Sequence, residues 1–219
     1  MDLVNFKSSP KDNPFAPEWN YVIGEDYIKN INFNALSKFL LLKEKEILKY
    51  DSAKDNNGNV SDGFTGLGEN STTSKFRSYN LLSYRNKEIV KLKKEIHKKY
   101  VLFLNKLNIP IKEYLYIQCW VNIMRKGQQI KPHIHDVSPT CYLGGHVCVQ
   151  SKNTHTCYIN PVNQINDPET YKSKNEVGKI TLFQNCIPHY TDIHQDEKER
   201  ITIAFDLKYM RGHASEILL

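Results

Sequence analysis

Apolar residues recur along this chain with two different periods, and the change falls near residue 110. In "NALSKFLLLKEKEILK" (34–49) they return every three or four positions after an asparagine, the pattern of an amphipathic helix with a start signal. A second helix is predicted from about Asn86 to Asn108, with Ile89, Leu92, Ile96, Tyr100, Phe103 and Leu107 along one stripe and Lys91, Lys94 and Lys98 on other faces. Between them "DSAKDNNGNVSDGFTGLGENSTTS" (51–74) is dense in Gly, Asn, Asp and Ser and reads as a long loop. A loop of that length inside a compact domain is usually functional or disordered. After "NIPIK" the runs become short and rich in aromatic and β-branched residues: 114–124, 140–150, 156–160, 178–185 and 200–208, separated by Gly, Pro, Asn and Asp. The expectation is an α+β fold with a mainly β core, in one domain over 1–219. Residues 1–110 would form a helical and loop part packed on one sheet of an antiparallel β core at 111–210.

Composition narrows the function classes. A chain of 219 residues that is 40% hydrophobic can bury a full core. The net charge of +6 is concentrated in "NKEIVKLKKEIHKK" (86–99), a solvated helix face rather than the basic, aromatic-lined groove that nucleic acid requires, so nucleic-acid binding is not expected. No apolar run reaches membrane-spanning length and no basic leader precedes an apolar stretch, so a soluble, cytoplasmic protein with no membrane partner is expected. Five cysteines without a CxxC pair predict reduced, mostly buried thiols. The spacing of Cys141, Cys148 and Cys157 lacks the paired knuckles of a zinc site.

The candidate chemistry is in the histidines. In "KPHIHD" (131–136), His133 and His135 would project from the same face of an extended strand, whereas Asp136 would face away. A third histidine, His189, follows a strand and a proline in "FQNCIPHYTD", and Arg200 and Thr202 share one face of the strand "RITIAFDL". Alone, a His-x-His pair is more often a solvent-facing pair than a metal site. In this order the set has a rationale: a mononuclear ferrous site needs two or three ligands on one face of the ion, leaving the other positions open. An arginine nearby offers fixed, bidentate contacts to a carboxylate. His155, His194, His97 and His213 are expected to be exposed, and Trp120 and Phe183 to lie in the core.

The stretches "CWVNIMRKGQQIKPHIHD", "YLGGHVCVQ", "GKITLFQNCIPHYTD" and "ERITIAFDL" resemble the core of the 2-oxoglutarate and iron(II)-dependent oxygenases, in particular a phage-encoded or marine bacterial branch with a His-x-His signature. The resemblance covers roughly residues 114–208. It implies a double-stranded β-helix, that is, a jelly-roll or cupin-like fold, and a dioxygenase that uses Fe(II), 2-oxoglutarate and O2 with decarboxylation of 2-oxoglutarate to succinate. It makes His133 and His189 iron ligands and gives Arg200 and Thr202 the distal carboxylate of 2-oxoglutarate. His146 and Tyr142, four residues apart on one strand face, become cosubstrate contacts. At position 135, where most of the superfamily has Asp or Glu, this chain has His. A three-His site, a two-His site with water in the third position, or recruitment of Asp136 all remain open.

Two rivals accompany this reading. A non-catalytic jelly-roll module would have no use for the ordered histidines. A three-His cupin-type dioxygenase independent of 2-oxoglutarate would have no use for Arg200 and Thr202. The substrate, whether small molecule, protein or nucleic-acid component, is not legible.

Overall fold

The computed structural model describes residues 1–55, 57–162 and 165–219, which include all of the predicted 51–74 loop except residue 56. Among the described residues, ten strands and two α-helices follow one another along the chain. The strands are β1 (Asp2–Lys7), β2 (Asn20–Tyr27), β3 (Tyr116–Met124), β4 (Leu143–Gln150), β5 (His155–Ile159), β6 (Thr170–Lys174), β7 (Lys179–Gln184), β8 (His189–Thr191), β9 (Arg200–Lys208) and β10 (Ile217–Leu218). The helices α1 (Phe33–Ile47) and α2 (Lys87–Lys106) lie between β2 and β3. A seven-stranded antiparallel sheet runs β1-β2-β7-β4-β9-β3-β10, and a three-stranded sheet runs β6-β5-β8. This is the two-sheet arrangement of a double-stranded β-helix.

Both helices form where the periodicity predicts, with small shifts at the ends. Helix α1 begins after Asn32, whose side chain accepts the Ala35 amide, rather than at Asn34. Asn86 caps α2 through the Glu88 amide, and Asn108 closes it in the left-handed region at φ 54°. Their apolar stripes bury Leu36, Leu40, Ile89, Leu92, Ile96 and Phe103 against Ile201, Ile203 and Leu207 of β9 and Ile117 and Val121 of β3. Alternation on β9 therefore sends the odd-numbered apolar residues to the helices and leaves Arg200, Thr202 and Asp206 for the opposite face, between the two sheets.

The N-terminal part departs from the expectation of helices and loop alone. "DLVNFK" and "NYVIGEDY" pair as a hairpin and extend the large sheet through β2 and β7. Their mixed polarity hid them: only Phe6, Ile23 and Gly24 are fully buried. Phe6 and Ile23 help close one end of the sandwich with Trp19, Tyr158, Phe183 and Ile187. Strand β10 likewise lies beyond the predicted limit of residue 210, paired with β3.

The predicted loop at 51–74 is attached to the sheet rather than free. Thr72 Oγ1 donates to the Val121 carbonyl and Thr73 Oγ1 to Asn122 Oδ1, both at 2.7 Å, while the Thr65 carbonyl accepts the Lys131 amide at 2.8 Å. Gly66, at φ 75°, lies so close to Lys131 that a Cβ there would meet the lysine chain at 2.6 Å. The loop therefore leans over "KPHIHD".

Candidate active site

The segment carrying the two spaced histidines is extended but not a full strand. His133 exchanges both backbone hydrogen bonds with His189, at 3.1 and 3.0 Å, and the Asn185 carbonyl accepts the His135 and Asp136 amides at 2.9 and 3.2 Å. This local pairing carries the small sheet one strand further and sets His133, His135 and His189 side by side. Their ring centroids are 4.4 to 5.4 Å apart.

Each ring is fixed through its Nδ1. His133 Nδ1 lies 2.9 Å from the Lys131 carbonyl, His189 Nδ1 lies 2.9 Å from the Ile187 carbonyl, and His135 Nδ1 lies 2.6 Å from Asp206 Oδ1. A carbonyl or carboxylate oxygen only accepts, so the proton in each ring sits on Nδ1 and the lone pair on Nε2. One ligand atom from each histidine falls within 4.8 Å of the others, and among the described residues no other group of three or more His, Cys, Asp or Glu converges this way. Burial and the neighbouring His135 push the His133 pKa down to about 4. Burial and the other two histidines hold His189 well below the ordinary value. The donor set is three imidazoles oriented through their second nitrogens, which suits a divalent iron ion with positions left open on its far side.

The neighbouring residues define a small inner cavity of about 50 Å³ behind the histidines, lined by His146, Thr156, Arg200, Thr202 and Asn122 among others. Arg200 is 1% exposed. Its Nε reaches Thr154 Oγ1 and its Nη1 reaches Met124 Sδ, both at 3.3 Å, and no carboxylate among the described residues forms an ion pair with it. An isolated guanidinium in a buried cavity is costly unless an anion joins it. Thr202 lies on the same face, and His146, whose pKa is driven down to about 3 by burial and by Arg200, stands there as a neutral ring. A larger cavity of about 360 Å³ opens outward from His133 and His135. Its walls are Asp62, Phe64, Phe76, Arg77, Trp120, Asn185, Asp206, Lys208 and His213 among others.

Six of the seven candidate residues named from sequence thus meet at one place. Tyr142 is the exception. It lies just before the first residue of β4, and its side chain packs toward α2 rather than toward His146. Its hydroxyl pairs with that of Tyr100 at 2.8 Å and its ring packs on Tyr209 at 4.2 Å. Three of the minor histidines also differ from expectation. His194 is buried, with Nε2 2.6 Å from the Lys198 carbonyl. His213 is half-buried at the mouth, and His155 is half-buried against Asp192. His97 is exposed, and Trp120 and Phe183 are buried while also walling the cavity.

Asp206, Asn185 and the Asp62–Thr65 wall were missed. Asp206 was legible in principle, because it continues the Arg200, Thr202, Ala204 face of β9 by one more alternation. Asn185 acts through its backbone carbonyl, which any residue provides, and no sequence signal marks it.

Residues 118–206 match the family model described as "Putative 2OG-Fe(II) oxygenase". The fold is shared with a Pseudomonas putida prolyl-4-hydroxylase (TM-score 0.57, 8% identity, 87% of this chain and 93% of that one). It is also shared with a Trichoplax adhaerens prolyl hydroxylase solved with a hypoxia inducible factor peptide (0.51, 12%, 84% and 83%). A third is the viral collagen prolyl hydroxylase from Paramecium Bursaria Chlorella virus-1 (0.50, 14%, 86% and 96%). No curated protein matches the chain in sequence. The two-sheet fold with its histidine cluster defines an oxygenase-type double-stranded β-helix. Over residues 118–206 the chain is similar to the 2-oxoglutarate and iron(II)-dependent oxygenases. That family implies Fe(II), 2-oxoglutarate and O2 as cofactor and cosubstrates.

Proposed function

We propose that His133, His135 and His189 hold the iron through Nε2, that Arg200 and Thr202 bind the distal carboxylate of 2-oxoglutarate, and that the substrate enters through the larger cavity. The observation that carries this reading is Arg200: a buried guanidinium without a carboxylate partner, in the same cavity as three imidazoles whose free nitrogens converge. When bound, the metal with 2-oxoglutarate supplies O2 activation coupled to decarboxylation of the cosubstrate to succinate. The chain's own part is to orient. Asp206 and two backbone carbonyls fix the histidine rings, and the Arg200 fork with the Thr202 hydroxyl seats one carboxylate in one pose. His146 would donate to or accept from the cosubstrate as a neutral ring. Trp120, Phe183 and the buried strand faces keep bulk water from the inner cavity.

His135 is read as a third ligand because a ring nitrogen joins the cluster and Asp206 holds its Nδ1, leaving Nε2 for the metal. Asp136 has no such part, since its carboxylate accepts from the amide and hydroxyl of Ser138. Five free cysteines accord with a cytoplasmic site of action, and among the described residues no helix is long and apolar enough to cross a membrane. The substrate is a molecule that reaches past Phe64 and Phe76 into a mouth with mixed charge.

The test is succinate formation from 2-oxoglutarate with added Fe(II), with and without candidate substrates, alongside calorimetric binding of 2-oxoglutarate to the Mn(II)-loaded protein. Saturable binding that Arg200→Ala removes is expected. A metal-loaded wild-type protein that neither binds 2-oxoglutarate nor releases succinate would overturn the proposal.

A further inference from the structure

Two cysteines stand outside the site yet on the backbone that frames it. β4 and β7 pair with Leu143 opposite Gln184 and Gly144 opposite Phe183, and the Asn185 amide donates to the Tyr142 carbonyl at 2.9 Å. Cys141 and Cys186 flank that bond at the ends of the two strands, and their thiols are in contact. A disulfide joins Cα atoms about 4.4–6.8 Å apart, and two thiols in contact beside a cross-strand hydrogen bond are placed for it. Both thiols are free and half-buried, whereas Cys119, Cys148 and Cys157 are buried. Asn185, between the pair and the site, is the residue whose carbonyl holds the His135 and Asp136 amides.

We propose that Cys141 and Cys186 are a redox-modified thiol pair that a hydroperoxide closes into a disulfide, tying the entry of β4 to the exit of β7 beside the histidine cluster. One thiolate attacks the peroxide oxygen, breaking the O–O bond and giving a sulfenic acid with release of water or an alcohol. The second thiol then attacks that sulfur and water leaves. With hydrogen peroxide, two thiols and one peroxide give one disulfide and two waters, and the two electrons lost by sulfur reduce the peroxide. Burial and the neighbouring thiol raise the Cys141 pKa to about 11, which suits Cys141 to the part of resolving thiol. The bond would restrain Asn185 and, through its carbonyl, the backbone of His135.

The pair is independent of the substrate and cosubstrate assignments, so its test needs neither. The full-length protein would be treated with equimolar hydrogen peroxide, blocked with iodoacetamide, digested without reduction and mapped by mass spectrometry. Expected is a linked pair of peptides containing Cys141 and Cys186, with alkylation of Cys119, Cys148 and Cys157 after denaturation. The oxidised protein should melt higher by on the order of 5 °C, reversibly with dithiothreitol. Cys186→Ser should remove both effects, and Cys141→Ser should leave Cys186 open to labelling by a sulfenic-acid probe. Overoxidation of Cys186 in the wild type without a Cys141 link, a link to any other cysteine or between molecules, or a melting temperature unmoved by the link would each overturn the proposal.

Discussion

Asp206 Oδ1 lies 2.6 Å from His135 Nδ1, so a carboxylate on β9 fixes the ring and tautomer of a histidine contributed by a loop 71 residues earlier. This contact ties the third imidazole to the strand that also carries Arg200. It predicts that Asp206→Ala lowers Mn(II) affinity by about 10–100-fold, the usual cost of removing the group that orients a ligating histidine. Titration calorimetry of the purified variant reads this directly, and undiminished affinity would detach His135 from the metal.

The same contact alters what an exchange at position 135 should do. His135→Asp would rebuild the two-His, one-carboxylate face common in the superfamily, but it would place that carboxylate next to Asp206, where two like charges oppose each other. Metal affinity should therefore recover less in His135→Asp alone than in His135→Asp with Asp206→Asn. Equal affinities for the single and double variants would show that the two positions do not interact.

Arg200 gives a prediction in which binding and stability move in opposite directions. Arg200→Met should weaken 2-oxoglutarate binding by about 1.5–3 kcal/mol, the range for hydrogen bonds to charged groups, while leaving Mn(II) affinity near wild type. The metal-free and cosubstrate-free variant should be at least as stable as wild type, because an unpaired buried charge is replaced by an apolar chain. Chemical denaturation with and without 2-oxoglutarate separates the two effects. A strongly destabilised variant would mean that the guanidinium mainly supports the fold.

Gly144 and Gly145 on β4 have no room for side chains. A Cβ on Gly144 would lie 2.5 Å from Asn185 Oδ1 and 3.2 Å from His135 Nδ1, and one on Gly145 would lie 2.4 Å from the Phe205 ring and 2.7 Å from the Thr181 carbonyl. Gly145→Ala should cost stability by about 1–3 kcal/mol through overpacking. Gly144→Ala should also weaken Mn(II) binding by displacing the contacts that hold His135. Thermal unfolding and metal titration of the two variants would distinguish them, and a Gly144→Ala protein with full metal affinity would count against the crowding.

The buried imidazoles set the acid sensitivity of the metal-free protein. His133 and His146 have pKa values of about 4 and about 3, and His189 lies well below the ordinary value, whereas in the unfolded chain each would titrate near 6.5. Below about pH 6.5 the unfolded chain therefore binds more protons than the folded one, so stability falls as pH falls, by up to ~1.4 kcal/mol per pH unit for each histidine. Above pH 6.5 these groups give no slope. Urea midpoints of the metal-free protein should be flat from pH 7 to 8 and drop between pH 6 and 5, and His146→Gln should make that drop shallower. An unchanged midpoint down to pH 5 would contradict this.

Sequence alone determined the elements whose signals are local. The stripes of α1 and α2 and the aromatic, β-branched runs of β3, β4, β5, β7 and β9 were readable because each buries one face over several residues. Residue type and order likewise marked His133, His135, His189, Arg200 and Thr202 as candidates, and the five line one cavity. What only the tertiary structure decided were the relations between distant segments. The β1–β2 hairpin gains its stability from pairing with β7 rather than from its own mixed composition. Tyr142 leaves the site because its side chain is held by Tyr100 of α2 and by Tyr209. Asp206 and Asn185 matter through what they hold, and the partner of a carboxylate or a backbone carbonyl is fixed by strand register across the sandwich, which no local pattern encodes.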